Sequence, residues 1–156
     1  MSDSSLEPKV VAAPPLTADE QRVRRQAIRE MFPRTPFMGS MGVTVERYEP
    51  DEVTMRLPFR DDLTNDGVAY HGGVIASLMD SAGGLAAWSG HDFDKGIRAA
   101  TVSINIQYVG AATPRSDLWC SAAAVKRGRE LIFCEMRVLD VADRLLAHGM
   151  LTYRIV

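Results

Sequence analysis

The 156 residues include only two cysteines and three histidines, and the formal net charge is −2. Cys120 and Cys134 fit no zinc or redox spacing. They read as structural thiols, kept reduced in a cytoplasmic protein. His71, His91 and His148 show no ligand spacing with one another, so no metal site is expected. The charge lacks the basic excess of a nucleic-acid binder. No apolar run approaches the ~20 residues that span a bilayer. The first residues carry acids, and the apolar stretch Val10 to Ala13 is short and meets Pro14-Pro15. A secretory signal needs a basic start and a longer apolar core, so residues 1–16 are expected to form a flexible arm. There is no G-x-S-x-G turn, and Ser77 and Ser81 lack a matching order of His and acid, which argues against a serine hydrolase.

What is present suits one globular domain over residues 17–156, large enough to build a core without disulfides or metal. Hydrophobic residues make up 46% and charged residues 24%. Thr17 and Glu20 form a capping box that opens a helix running to about Met31, before Pro33. Val23, Ile28 and Met31 are its sparse apolar contacts. Pro36 to Gly42 reads as a connection. Strands are expected at Val43 to Glu46 and Val53 to Leu57, around a turn at Tyr48 to Asp51. A polar loop then runs from Phe59 to Tyr70. One long helix is expected from His71 to Ser89. Four strand-like runs follow, at Ala99 to Val109, Ser116 to Lys126, Glu130 to Leu139 and Leu145 to Ile155. The short turns between them imply antiparallel pairing. The fold class is α+β, with a sheet wrapped around one central helix and an extra N-terminal helix.

The central helix carries the most information. At 100° per residue, Val74, Ile75, Leu78, Met79, Ala82, Leu85 and Ala86 share one arc that should face the sheet. Gly73, Ala76, Ser77, Asp80, Gly83, Gly84 and Ala87 lie opposite. From Gly72 to Ser89 there is no Lys, Arg, Glu or Gln, and Asp80 is the only charge. Glycine inside a helix costs about 1 kcal/mol relative to alanine. Small residues at that cost imply close approach by another chain, a ligand or both. A second subunit is the simplest cover. Asp80 is then a candidate general base or nucleophile, against the plainer reading of a solvated acid. His71-Gly72-Gly73 opens the helix, where free backbone N–H groups and the helix dipole can stabilise an oxyanion. His71 and Asp80 are nine residues apart, about 13 Å of rise and half a turn. One chain cannot bring both to one carbonyl, so joint action requires a subunit interface.

HGGVIASLMDSAGG (His71 to Gly84), followed by TVSINIQYVGAA (Thr101 to Ala112), resembles the hotdog-fold thioesterases of the PaaI-like group. The pattern is Asn65, then His71-Gly72-Gly73, then Asp80, then a strand ending at Tyr108 to Ala111. The resemblance implies an acyl-CoA thioesterase with Asp80 as base or nucleophile. It also implies that Gly73 N–H polarises the carbonyl, His71 sets the loop, Asn65 positions water or carbonyl, and Thr101 orients the attacking water. Asp80 would come from one chain and Asn65 to Gly73 from its partner. The implied assembly is a homodimer or a dimer of dimers, with no cofactor beyond the coenzyme A of the substrate. One departure concerns the loop before His71: the family commonly has Gly three residues before the His, where Val68 stands here, with Gly67 one earlier.

Further substrate contacts are expected from Gly72 and Ser77 on the helix. Arg98, Lys126, Arg127 and Arg129 are candidates for the coenzyme A phosphates, although a cluster like the last three more often forms a solvated hairpin tip. Two other readings remain. A hotdog hydratase or dehydratase pairs a catalytic His with an acid in a different motif. A non-catalytic acyl-CoA binder would keep the pocket without the chemistry.

Overall fold

The computed structural model describes residues 14–156. Most of the expected arm, residues 1–13, lies outside the described residues. Its last residue, Leu16, donates its N–H to the Asp94 carboxylate at 3.0 Å. The hotdog architecture read from the sequence is present. Six antiparallel strands form one sheet around a long helix. We label the strands β1 (Thr44–Glu49), β2 (Glu52–Leu57), β3 (Ala99–Tyr108), β4 (Leu118–Arg127), β5 (Leu131–Asp140) and β6 (Leu145–Ile155). The helices are α1 (Ala18–Met31), α2 (Pro36–Met41) and α3 (Gly72–Ser89). Spatial order across the sheet is β1-β2-β4-β5-β6-β3. The strand that follows α3 in sequence therefore crosses to the far edge.

Period-two patterning explains the strands. On β2, Val53, Met55 and Leu57 point inward and are buried; on β4, Leu118, Cys120 and Ala122 do the same. On β5 the inward row is Ile132, Cys134, Met136 and Val138. These rows close on Ile75, Leu78, Met79, Ala82, Leu85 and Ala86 of α3. Burial raises both thiols to about 12, which keeps them protonated and unreactive.

Three expectations need correction. Pro36 to Gly42 is a short helix, not a connection. Pro36 sits in its first turn and Gly42 closes it at φ 72°, the pairing of an early proline with a left-handed glycine just past the end. Secondly, α1 is anchored by a polar residue. Buried Gln21 donates to Asp92 Oδ1 at 2.7 Å and accepts from Phe93 N at 2.9 Å, while Val23 and Met31 stay exposed. Only Ile28 of the three expected apolar contacts packs on the core.

The third correction concerns α3. Gly83, Gly84 and Ala87 are not left for a second subunit; they are buried within their own chain. A Cβ at Gly83 would stand 2.8 Å from Met136 Sδ and 2.9 Å from Leu151 Cδ2. One at Gly84 would stand 3.3 Å from the Tyr153 ring. A flat helical wheel assigns one face to the sheet, but this sheet curls around more than half of the C-terminal part of α3. The small residues permit that wrap. Only the N-terminal half of α3 keeps a partly open face, at Gly73, Ala76, Ser77 and Asp80.

The far end of α3 is locked to the sheet. Arg127 Nε donates to Asp51 Oδ1 at 2.6 Å, and its Nη2 donates to Ala86 O at 3.2 Å. Asp51 N–H donates to Ser89 Oγ at 2.9 Å. Just beyond, buried His91 donates from Nε2 to Gly96 O at 2.9 Å and meets Trp88 and Phe93 edge-on. Desolvation lowers its pKa, against the raising effect of the Gly96 bond. The unfolded chain therefore takes up this proton first as pH falls below ~6.5. Stability should be complete above that value and decline as pH drops toward the folded pKa. The His91→Gln variant, which cannot protonate, should show a flatter melting temperature between pH 7 and pH 5 than wild type.

Candidate active site

The candidates on and beside α3 form two clusters, both bordering β3; Asn65 and the basic candidates lie outside them. The first is Asp80 with Thr101. Asp80 sits mid-helix, partly buried, and its Oδ1 accepts a hydrogen bond from Thr101 Oγ1 at 2.7 Å. Among the described residues no other hydrogen bond reaches this carboxylate. The free oxygen is thus held in a fixed direction by its partner. Tyr153 of β6 forms a wall nearby, and burial, with a contribution from the Asp80 charge, raises its phenol. Its hydroxyl accepts from Trp88 Nε1 at 3.3 Å.

The second cluster is the start of α3. His71 is the N-cap, and its Nδ1 accepts the Gly73 N–H at 2.9 Å. The Gly73 N–H that the resemblance assigns to a thioester carbonyl is therefore occupied by the cap. An arriving carbonyl has to replace the exposed imidazole as acceptor. Tyr108, at the end of β3, donates its hydroxyl to Gly72 O at 2.8 Å. Ser77 Oγ donates to Gly73 O at 2.8 Å. Having given its proton to the backbone, Ser77 can offer a ligand only lone pairs.

The loop ahead of His71 supports itself. Asn65 N–H donates to Ala69 O at 2.9 Å, and His71 N–H to Leu63 O at 3.1 Å. Asp66 Oδ1 accepts from Val68 N and Ala69 N at 3.0 and 2.8 Å, and these bonds hold its carboxyl below the usual range. Gly67 takes φ 79°. The left-handed position falls at Gly67, so Val68 needs none, and the departure in sequence leaves the loop closed. The Asn65 side chain is exposed at its mouth.

The basic candidates divide. Arg127 is engaged with Asp51 and Ala86 O, and so locks the fold in this structure. Lys126 and Arg129 are exposed at the β4–β5 turn, near the C-terminal end of α3. Arg98 is exposed at the start of β3, where its backbone pairs with Val156 in both directions at 2.8 Å. His148 is turned outward onto Glu135 at 3.0 Å and takes no part in either cluster.

Tyr108 is the residue that sequence reasoning left without a role. Its hydroxyl reaches across 36 residues to Gly72. Within the sequence it marks the strand end of the family pattern, with no partner indicated. The pairing of β3 with the helix start is a tertiary fact that no spacing encodes.

The family model of the thioesterase superfamily matches residues 69–147. A provisionally assigned esterase of Halobacterium salinarum is 36% identical over 109 residues, covering 68% of this chain and 71% of that protein. Human acyl-coenzyme A thioesterase 13 is 26% identical, covering 80% of this chain and 89% of its own. The Escherichia coli PaaI protein shares the fold, with a TM-score of 0.75 at 14% identity over 90% of this chain and 96% of that one. The motif, the sheet wrapped on one helix and these matches agree: this chain belongs to the thioesterase superfamily and is a thioester hydrolase of hotdog fold.

Proposed function

We propose that this protein hydrolyses acyl-coenzyme A thioesters as a homodimer, with each active site built from Asp80 of one chain and the His71–Gly73 turn of the other. The observation that carries this reading is the placement of both clusters along one open sheet edge. Thr101, which holds Asp80, lies near one end of β3; Tyr108, which holds Gly72, lies at the other. Between Ala99 and Gly110 the chain has no charged residue, and nine of the ten β3 residues are exposed. A long uncharged edge is a template for pairing with another strand. The opposite edge, β1, is shorter and carries Glu46, Arg47 and Glu49.

Antiparallel pairing of β3 with its copy, about a two-fold axis at the middle of the strand near Ile104 and Asn105, brings Thr101 of one chain toward Tyr108 of the second. Asp80 then faces the partner's helix start, and the two-fold generates two equivalent sites. This resolves the separation along α3, where Gly73 and Asp80 of one chain differ by about 10 Å of rise.

The chemistry follows from the groups. The thioester carbonyl accepts the Gly73 N–H in place of His71 Nδ1. Asp80 takes a proton from water as it attacks the carbonyl carbon, or attacks that carbon itself. The negative charge that develops on oxygen is met by the N–H and the helix dipole. The C–S bond breaks and coenzyme A leaves as the thiol after gaining a proton; attack by water gives the acid directly, whereas attack by Asp80 leaves an acyl anhydride that a water then hydrolyses to the acid and the free carboxylate. Water is the only co-reactant, so no redox cofactor is called for, and the proposal assigns the proton transfer to Asp80 without a metal. Asn65 stands at the loop mouth to position water or carbonyl, and Gly72 leaves room for the substrate. Arg98, Lys126 and Arg129 are free to meet the phosphates; Arg127 can do so only by leaving Asp51. The named activity of acyl-coenzyme A thioesterase 13 supports this substrate class. Two buried free thiols suit a reducing cytoplasm.

A thiol-release assay over aromatic and aliphatic acyl-CoAs tests the proposal. Turnover of at least one member is expected. Binding of acyl-CoA by calorimetry without any turnover would instead support a non-catalytic binder.

A further inference from the structure

We infer that Tyr108 is a positioning residue for the oxyanion site, acting through the peptide group that joins Gly72 to Gly73. This rests on the reading that Gly73 N–H receives the thioester carbonyl. Gly72 C=O and Gly73 N–H are the two ends of one planar peptide unit. Tyr108 Oη donates to its oxygen at 2.8 Å. His71 Nδ1 accepts from its N–H at 2.9 Å. The Tyr108 ring also lies over Gly72, where an added Cβ would meet ring carbons at 3.7 Å. The unit is thus held from both ends by side chains from different elements.

The two holds differ in permanence. His71 must yield the N–H when a carbonyl arrives, because one donor aimed at the substrate cannot also serve the cap at full strength. Its ring is exposed in the single chain. Once it turns away, the first turn of α3 loses its side-chain cap, and helix starts lean on such bonds to fix their orphan N–H groups. Tyr108 remains. Anchored on the sheet, it keeps the peptide plane, and so the N–H direction, in place after His71 releases it. It also acts electronically. A hydroxyl donating to the amide oxygen polarises the amide, making its N–H a better donor, as in any hydrogen-bonded chain. Both effects favour an N–H already aimed where negative charge develops, which is where pre-organised dipoles contribute to catalysis.

A merely structural Tyr108 would affect stability and leave the chemistry alone. The distinguishing variant is Tyr108→Phe, which keeps the ring over Gly72 and removes only the hydroxyl. Three readouts are taken together on wild type and variant at a concentration where both are dimeric. These are the ¹H–¹⁵N position of the Gly73 amide, the split of kcat against KM on a hydrolysed acyl-CoA, and the melting temperature. The expected result is a displaced Gly73 amide and a kcat lower by about tenfold, less than the ~100-fold lost when an oxyanion donor itself is removed. KM and melting temperature should stay near wild type. A displaced amide with unchanged kcat overturns the inference. So does a fall in kcat that simply tracks a fall in melting temperature or loss of the dimer. Absence of turnover by wild type overturns the underlying thioesterase reading and this inference with it. Wild-type turnover equalled by Tyr108→Phe overturns this inference alone.

Discussion

Replacement of Asp80 by asparagine should lower kcat by at least ~100-fold, the range for loss of a general base or nucleophile, with KM and melting temperature near wild type. The amide keeps the shape of the carboxylate, and its Oδ1 can still accept the Thr101 hydroxyl, now at 2.7 Å. It can neither take a proton from water nor attack a carbonyl at a useful rate. The side chain is partly exposed on a helix whose buried face lies elsewhere, so the fold has no reason to fail. Steady-state thiol release at saturating acyl-CoA reads kcat directly. Retention of a tenth or more of the wild-type rate would place the proton acceptor at another group and remove Asp80 from the mechanism.

The second large effect concerns the edge of the sheet. Ile104 is 38% exposed in the single chain and stands beside the proposed two-fold axis, where its copy comes close. Ile104→Lys should leave the monomer folded, since the side chain at this edge position is already more than a third exposed and a lysine stem can carry its ammonium out to water. In the dimer it brings two like charges together on a surface that had none, a juxtaposition worth several kcal/mol. That is enough to weaken the dimer by more than ~100-fold. Light scattering after gel filtration should show a monomer at micromolar concentration with a native circular dichroism spectrum. Activity should fall in parallel although Asp80, Gly73, His71 and Thr101 are all intact, and it should return as protein concentration rises. A monomer with full activity would mean that one chain assembles its own site, against the separation along α3.

The sheet, the helix and the motif were legible because each follows a local rule. Alternating apolar residues on β2, β4 and β5 mark strands with one buried face. The run after His71, with Asp80 as its only charge, marks a helix with little contact with water. Gly67 also shows the limit of a pattern: its position differs from that of the family glycine, yet it still supplies the left-handed residue the loop needs. The helical wheel failed at Gly83 and Gly84 for a physical reason. It treats the cover of a helix as flat, and the curvature of a sheet is a property of all its strands together. The anchoring of α1 by Gln21 was equally hidden, because a glutamine reads as solvated until its partners, Asp92 and Phe93, are brought to it from the other side of α3.

By itself the sequence determined the α+β class, the central helix, Asp80 as its only charge, and the separation of His71 from Asp80 along that helix. These depend on periodicity, charge and rise per residue, all local quantities. Tertiary structure alone decided which strand becomes the open edge, that Thr101 holds Asp80 while Tyr108 holds Gly72, that His71 already occupies the Gly73 N–H, and that Arg127 is locked to Asp51. Apart from the His71–Gly73 cap, which spans only two residues, each of those rests on contacts between residues distant in the chain. Their existence depends on how the strands are ordered in the sheet, and strand order cannot be computed from the spacing of residues within any one strand.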